Sequence, residues 1–276
     1  MLKKFVLGGM AAVLLAACGG EKSASTPSQA TSAPAAPAAG SLIERINNKG
    51  TITVGTEGTY APFTYHDESG KLTGYDVEVT RAVAEKLGIT VEFKETQWDA
   101  MMAGLKAGRF DVVANQVALT SPERQATFDK SEPYSWSGPV LVARNDSTIT
   151  SVEEIAGKKA AQSLTSNYGE RATAAKAEIV PVDGLAQSLM LIEQKRAEVT
   201  LNDELAVLDY LKKNPNSGVK IVWSAAAEDK VGAGLVVNKG NDEAVAKFSE
   251  AVKALQADGT LKKLGEQFFG KDISVK

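Results

Sequence analysis

The sequence predicts an α/β protein built from two successive units and a helical C-terminal addition. Three observations carry that prediction. Short runs of alternating apolar residues lie between helix-period runs, the order strand-helix-strand-helix-strand occurs and then recurs, and glycines stand where the helices should stop. The chain has 276 residues, 43% hydrophobic and 24% charged, an ordinary globular composition with ample material for a core. At about 100–200 residues per domain, one large or two modest domains are expected.

The first unit begins at Leu42. "TITVGTE" (51–57) alternates as a strand, and "FTYHDESGKLTGY", with Gly70 and Gly74, forms a hairpin or turn region. From Tyr75 to Leu87, Val79, Val83 and Leu87 share one helical face, and Gly88 ends the helix. Ile89, Val91 and Phe93 alternate as the next strand. A short helix runs from Asp99 to Ala107, followed by the apolar strand "FDVVANQV" (110–117).

The second unit opens with "SVEEIAGKK", where Ser151 and Glu154 have capping-box spacing. Strand "KAAQS", a helix over 169–176, strand "EIVPV", a helix over 185–195, strand "EVTLND", a helix over 204–213 and strand "KIVWS" follow. "GAGLVVN" adds a strand and 242–257 a helix with Val245, Phe248, Val252 and Leu255 on one face. Gly259 ends that helix, and a short terminal helix closes the chain. Two such units imply two lobes and a cleft, where strand C-terminal ends meet a small ligand.

Ahead of these units lies an address. "MLKKFVLGGMAAVLLAAC" has a basic start, an apolar run and small residues before Cys18, the organisation of a secretory signal, and its apolar run is too short for a span of about 20 residues. "LAAC" resembles a bacterial lipobox, which implies cleavage after residue 17 and lipid on Cys18; an ordinary signal peptide is the alternative. The stretch to residue 41 is mostly Ala, Pro, Ser, Thr and Gly, with one Glu and one Lys, a disordered tether with a reach of about 25 Å.

Counts exclude several chemistries. Cys18 and His66 are each the only residue of their kind, so no intramolecular disulfide, His/Cys zinc site or Cys-His nucleophile is expected. The formal charge of −3, more negative once Lys3 and Lys4 leave with the leader, argues against nucleic acid as a partner.

Strand ends deliver the candidate site residues. The first brings Glu57 and Tyr60, the second Trp98, the third Gln116 and Ala118; in the second unit, Thr165, Ser166 and Asn167 follow one strand and Asp203 another. Tyr60 and Trp98 serve equally as packing aromatics, and Asp203 equally as a helix N-cap. Arg124 is the odd residue. "TSPERQ" opens a helix with Ser121 at the N-cap and Pro122 at the first position, yet places a guanidinium where the helix end disfavours cations. Either it is solvated, or it awaits an anion. A cation on one lobe and the Asp203 carboxylate on the other complement the two ends of an amino-acid zwitterion, with Tyr60 and Trp98 clamping its side chain.

At these residues the chain resembles a known family. "GTEGTYAPFTYHDESGKLTGYDVEV", "QWDAMMAGLKAGRFDVVANQV", "PERQATFDKSEPYSWSG", "NDELAVLDYL" and "ADGTLKKLGEQFFG" are similar, in order and over 42–273, to the periplasmic amino-acid-binding proteins of ABC importers, the family-3 solute-binding proteins, and most of all to the cystine-binding receptors. The resemblance implies a type II periplasmic-binding-protein fold with two hinge crossovers and a cleft between lobes. Lobe 1 would comprise 42–138 and 231–276, and lobe 2 would comprise 139–230. It implies that Glu57 and Tyr60 lie in the first ligand-contact segment, that Trp98 stacks on the ligand side chain and that Arg124 takes the α-carboxylate. Asp203 would take the α-ammonium, and Thr165 to Asn167 would donate from a loop.

The sequence departs from the family pattern before Arg124. "ALTSPER" is one residue longer than in similar sequences, Ala118 fills a position usually Ser or Thr, and Gln116, where smaller residues are common, is expected to reach the distal part of the ligand. No cofactor or metal is implied. The expected partners are an amino acid, L-cystine first and cysteine or another polar amino acid next, an inner-membrane ABC permease, and the bilayer through Cys18. The chain is expected to be a monomer in the periplasm. An enzyme of dehydratase type on the same fold is the rival, with Glu57 as its one candidate proton donor.

Overall fold

The computed structural model describes residues 41–276. The predicted leader over 1–17, Cys18 and the tether as far as residue 40 lie outside them. Two five-stranded sheets form the framework. In the first, Thr90–Glu95, Thr51–Thr56 and Val112–Val113 run parallel, Val236–Asn238 runs antiparallel to its neighbours, and Phe128–Lys130 closes the edge. In the second, Glu178–Pro181, Lys159–Gln162 and Val199–Asp203 run parallel, and Pro139–Arg144 runs antiparallel between Val199–Asp203 and Val219–Ser224. The two lobes therefore repeat one plan, three parallel strands and then an antiparallel fourth.

Two short strands carry the chain between the sheets. Ser135–Ser137 leads from the first to the second and Val231–Ala233 leads back; they pair with each other, Ser137 opposite Val231 and Ser135 opposite Ala233. These are the two hinge crossovers of the type II fold. A small meander of Thr59–Tyr60, Thr64–His66 and Leu72–Thr73 sits beside the first sheet.

Local chemistry explains most elements. Helix Tyr75–Lys86 buries Val79 and Val83, and the Asp242–Ala257 helix buries Phe248, Val252 and Leu255 on the stripe that the 3.6-residue period selects. Helix Glu204–Lys213 starts at Asp203, whose carboxylate caps it.

The sequence reading missed some elements and overextended others. Helix Leu42–Lys49 is held by a complete capping box, Ser41 Oγ accepting from Glu44 N and Ser41 N donating to the Glu44 carboxylate. The Pro139–Arg144 strand went unread because its first five residues are all buried, a continuous apolar run with no alternation to mark it. The Ser151–Glu154 box forms no α-helix: Glu154 accepts instead from Thr150 N at 2.9 Å, and only a 3₁₀ turn, Glu153–Ile155, precedes Gly157. "FDVVANQV" yields only Val112–Val113 as strand, because the chain turns at Gln116, whose φ of 50° lies in the left-handed region. Among the described residues, no helix is long and apolar enough to cross a membrane.

Candidate functional site

The site is assembled where strands of both sheets end. On lobe 1, Thr56 ends the central strand and anchors its neighbours, its hydroxyl donating to Ala114 O at 2.9 Å and sharing a hydrogen bond with the Thr64 hydroxyl at 2.8 Å. Glu57 follows, and Gly58 at φ 71° turns the chain away, a conformation that a side chain rarely adopts. Asn115 then grips Glu57 twice: Glu57 N donates to Asn115 Oδ1 at 2.8 Å, and Asn115 Nδ2 donates to Glu57 Oε2 at 2.6 Å. Burial raises the Glu57 pKa to about 7, against the Asn115 hydrogen bond, and the Asp99 charge adds to the rise.

Gln116 is held as firmly. Its main-chain N and its Nε2 donate to the two oxygens of Asp76, at 2.7 and 2.6 Å, and its Oε1 accepts from Ser135 Oγ at 3.0 Å. Asp76 is fully buried, which raises its pKa to about 7 although Gln116 donates to it. Tyr60 and Trp98 supply flat faces. Trp98 opens the Trp98–Lys106 helix, and its Nε1 is buried with no hydrogen-bond partner.

On lobe 2, Ser166 caps the Asn167–Ala174 helix, accepting from Gly169 N at 2.9 Å. Gly184, Leu185 and Ser188 come from the end of another strand and the start of the helix after it. The pocket between the two lobes holds about 480 Å³ of empty space, solvent at its mouth included.

The expected site residues divide into two groups. Glu57, Tyr60, Trp98, Gln116, Ser166 and Asn167 line this pocket together. Ala118, Arg124, Thr165 and Asp203 are not among its lining residues; Arg124 and Thr165 line a separate pocket together with Ser121, Leu164 and Glu170. Arg124 is only 6% exposed, with its guanidinium over the Trp98 ring; Nη1 donates to Ala118 O at 3.0 Å and Nη2 to Thr165 O. Among the described residues, no carboxylate forms an ion pair with it; Glu170 and Glu123 act only at a distance, and burial lowers its pKa. Asp203 Oδ1 accepts from Ser137 Oγ at 2.9 Å, Leu205 N at 2.8 Å and Ala206 N at 3.4 Å, whereas Oδ2 meets only the Tyr168 hydroxyl at 3.5 Å. One oxygen is saturated and the other keeps acceptor capacity. Burial raises the Asp203 pKa to about 6, partly offset by the Ser137 hydrogen bond.

Gln162, Gly184, Leu185 and Ser188 also line the pocket but were not anticipated. The signal for Gly184 and Leu185 was available: they follow the strand "EIVPV", and the strand-end rule applied to the other strands reaches them too.

Hydrogen bonds bridge the cleft. Tyr60 OH donates to Asn202 Oδ1 at 2.7 Å, and the Asp99 carboxylate accepts from Leu164 N at 3.1 Å, Thr165 N at 2.9 Å and Thr165 Oγ1 at 2.8 Å. Two lobes joined by paired crossover strands, bonded to each other across a polar pocket at their strand ends, define a ligand-capture protein of the two-lobed periplasmic class.

Comparison with known proteins gives the family. Residues 52–271 match the bacterial extracellular solute-binding proteins, family 3, and the chain belongs to that family. It is 48% identical to the L-cystine-binding protein TcyA of Bacillus subtilis over 85% of this chain and 87% of that one. It is 84% identical to the L-cystine solute receptor of Neisseria gonorrhoeae, solved unliganded and open, over 86% of this chain and all of the other, with a TM-score of 0.59. An ancestral arginine-binding protein bound to arginine is only 34% identical over 80% of this chain and 99% of its own, yet has a TM-score of 0.75. Identity and superposition rank these two structures oppositely.

Proposed function

We propose that this protein is the receptor of an ABC amino-acid importer, capturing L-cystine in the cleft and delivering it to a membrane permease. Buried Arg124 carries the reading. A buried guanidinium without a carboxylate partner is costly, because charges removed from water are normally paired. Its two carbonyl partners leave its charge uncompensated, and the α-carboxylate of an amino acid supplies the missing anion. The spare Asp203 Oδ2 takes the α-ammonium, Tyr60 and Trp98 flank the side chain, and Glu57, Gln116 and the loop over Thr165, Ser166 and Asn167 complete the contacts. Ala118 contributes its main chain. Cystine is favoured over cysteine or another polar amino acid by the two cystine-binding relatives.

In this reading lobe 1 comprises 42–138 with 231–276 and lobe 2 comprises 139–230, which agrees with the membership of the two sheets. Ligand docks on lobe 1, and rotation about the crossover strands brings Asp203 over it. The closed form is what the permease recognises. Lipid on Cys18 would hold the monomer at the membrane while the lobes work in the periplasm.

The test is thermal unfolding of the purified protein against the twenty amino acids and L-cystine. A ligand at a hundred times its Kd stabilises by about 2.7 kcal/mol. Cystine is expected to give the largest shift; a larger shift with another amino acid removes the cystine assignment, and no response to any amino acid removes the receptor reading. One observation favours a second reading, an enzyme of dehydratase type: the Glu57 carboxyl, with its pKa near neutrality inside the pocket, is chemically a general acid. Turnover of a prephenate-like acid by the same preparation would support it.

A further inference from the structure

The crossover strand Ser135–Ser137 does more than connect the lobes. Ser135 and Ser137 are two residues apart, so their side chains leave the strand on the same face. Both are buried, at 0% and 4% exposure. Each hydroxyl donates to a different site residue on a different lobe: Ser135 Oγ to Gln116 Oε1 at 3.0 Å, and Ser137 Oγ to Asp203 Oδ1 at 2.9 Å.

The two acceptors are not interchangeable. Gln116 lines the pocket, and its amide orientation is determined because Nε2 faces the Asp76 carboxylate while Oε1 faces the Ser135 hydroxyl. With one hydrogen and one lone pair spent, the amide keeps one donor and one acceptor for a ligand. Its backbone is held in the left-handed region at φ 50° by the second Asp76 bond, so Gln116 is aimed by two neighbours that do not line the pocket. Asp203 is different. Ser137 and the helix N–H groups occupy Oδ1, and this turns Oδ2 toward Tyr168, itself a pocket residue.

We propose that Ser135 and Ser137 are positioning residues with separate duties, Ser137 orienting Asp203 for the α-ammonium common to all amino acids and Ser135, with Asp76, orienting the Gln116 amide that discriminates between side chains. Because both hydroxyls sit on a strand that joins the lobes, the hinge places the two halves of the recognition set in register as it closes. The proposal rests on the reading of Asp203 as the ammonium site.

The experiment is calorimetric titration of the wild-type protein, Ser135→Ala and Ser137→Ala with L-cystine, L-cysteine, L-glutamine, L-histidine and L-arginine, with the unliganded melting temperature of each variant as the control for folding. Losing a hydrogen bond to a charged group predicts that Ser137→Ala weakens every ligand by a common factor of about ten to a hundred, rank order preserved. Ser135→Ala is expected to change the ratios between ligands by several-fold, and Asp76→Asn to change them in the same way. A merely structural role would lower the melting temperature and move all ligands together in both serine variants; that result overturns the proposal, and so do unchanged affinities in both. If the wild-type protein binds none of the five, the receptor reading fails instead, and the two failures are told apart by that first titration.

Discussion

Arg124 and Asp203 occupy matching places on opposite lobes, each in the first turn or at the cap of a helix that follows a strand end, and the chain treats them in opposite ways. Asp203 is helped by its position. A carboxylate at a helix N-terminus meets free N–H groups and the positive end of the helix, and the Asp203 side chain accepts from two of those groups. Arg124 is opposed by its position. The same end of a helix repels a cation, and the guanidinium folds back onto two carbonyls while staying buried and without an anion. A structural role therefore accounts for Asp203 without a ligand, whereas the charge of Arg124 is left uncompensated unless the proposed α-carboxylate is bound. Of two charged candidates, the one that violates local rules carries more functional information.

Substitution at Arg124 gives the widest separation between binding and folding. Arg124→Met is expected to weaken amino-acid binding at least a hundredfold, about 3 kcal/mol, while unliganded stability in urea changes by no more than about 1 kcal/mol, because a buried charge is removed along with its contacts. Equal losses of binding and stability would erase the contrast and make Arg124 a structural residue.

Asp203→Ala should instead lose both together. Binding is expected to fall tenfold or more, and the lost cap to cost about 1 kcal/mol of stability. Measured by calorimetry and denaturant titration, a stability loss with unchanged affinity would assign Asp203 to capping alone.

The remaining contrast is the effect of pH on the unliganded protein. The pKa values of Asp203, Glu57 and Asp76 are raised by burial to about 6, 7 and 7 from 3.8, 4.5 and 3.8. Between those limits the folded state holds protons that the unfolded state has released, so the contribution to stability is full at low pH and is lost as pH rises from about 4 to 7. Binding should have the opposite sign, since an ammonium prefers ionised Asp203, and affinity is expected to fall as pH drops below about 6. Denaturation and titration at pH 5, 6 and 7 test both slopes; Asp203→Asn should flatten the binding slope.

Much of this was legible in the sequence, for identifiable reasons. Helices Glu204–Lys213 and Asp242–Ala257 were read with both ends correct because an Asp at or just inside the start and a sustained apolar face define them locally. Ser121, Pro122 and the anomalous Arg124 were equally local, and the strand-end rule brought Glu57, Tyr60, Trp98 and Gln116 into one list. What it could not reach was pairing over distance. That Gln116 is aimed by Asp76, forty residues before it, or that Asp99 holds the backbone of Leu164 and Thr165 on the other lobe, leaves no mark in either segment.

The sequence by itself determined the two α/β units, the family and the residue types at the strand ends, because periodicity, capping and turn chemistry act within a few residues. Only the tertiary structure decided which of those residues line the pocket and which do not, which Asp203 oxygen keeps acceptor capacity, and that one crossover strand serves both lobes. Those outcomes depend on burial and on hydrogen bonds between segments far apart in the chain, and neither exists until the chain has folded.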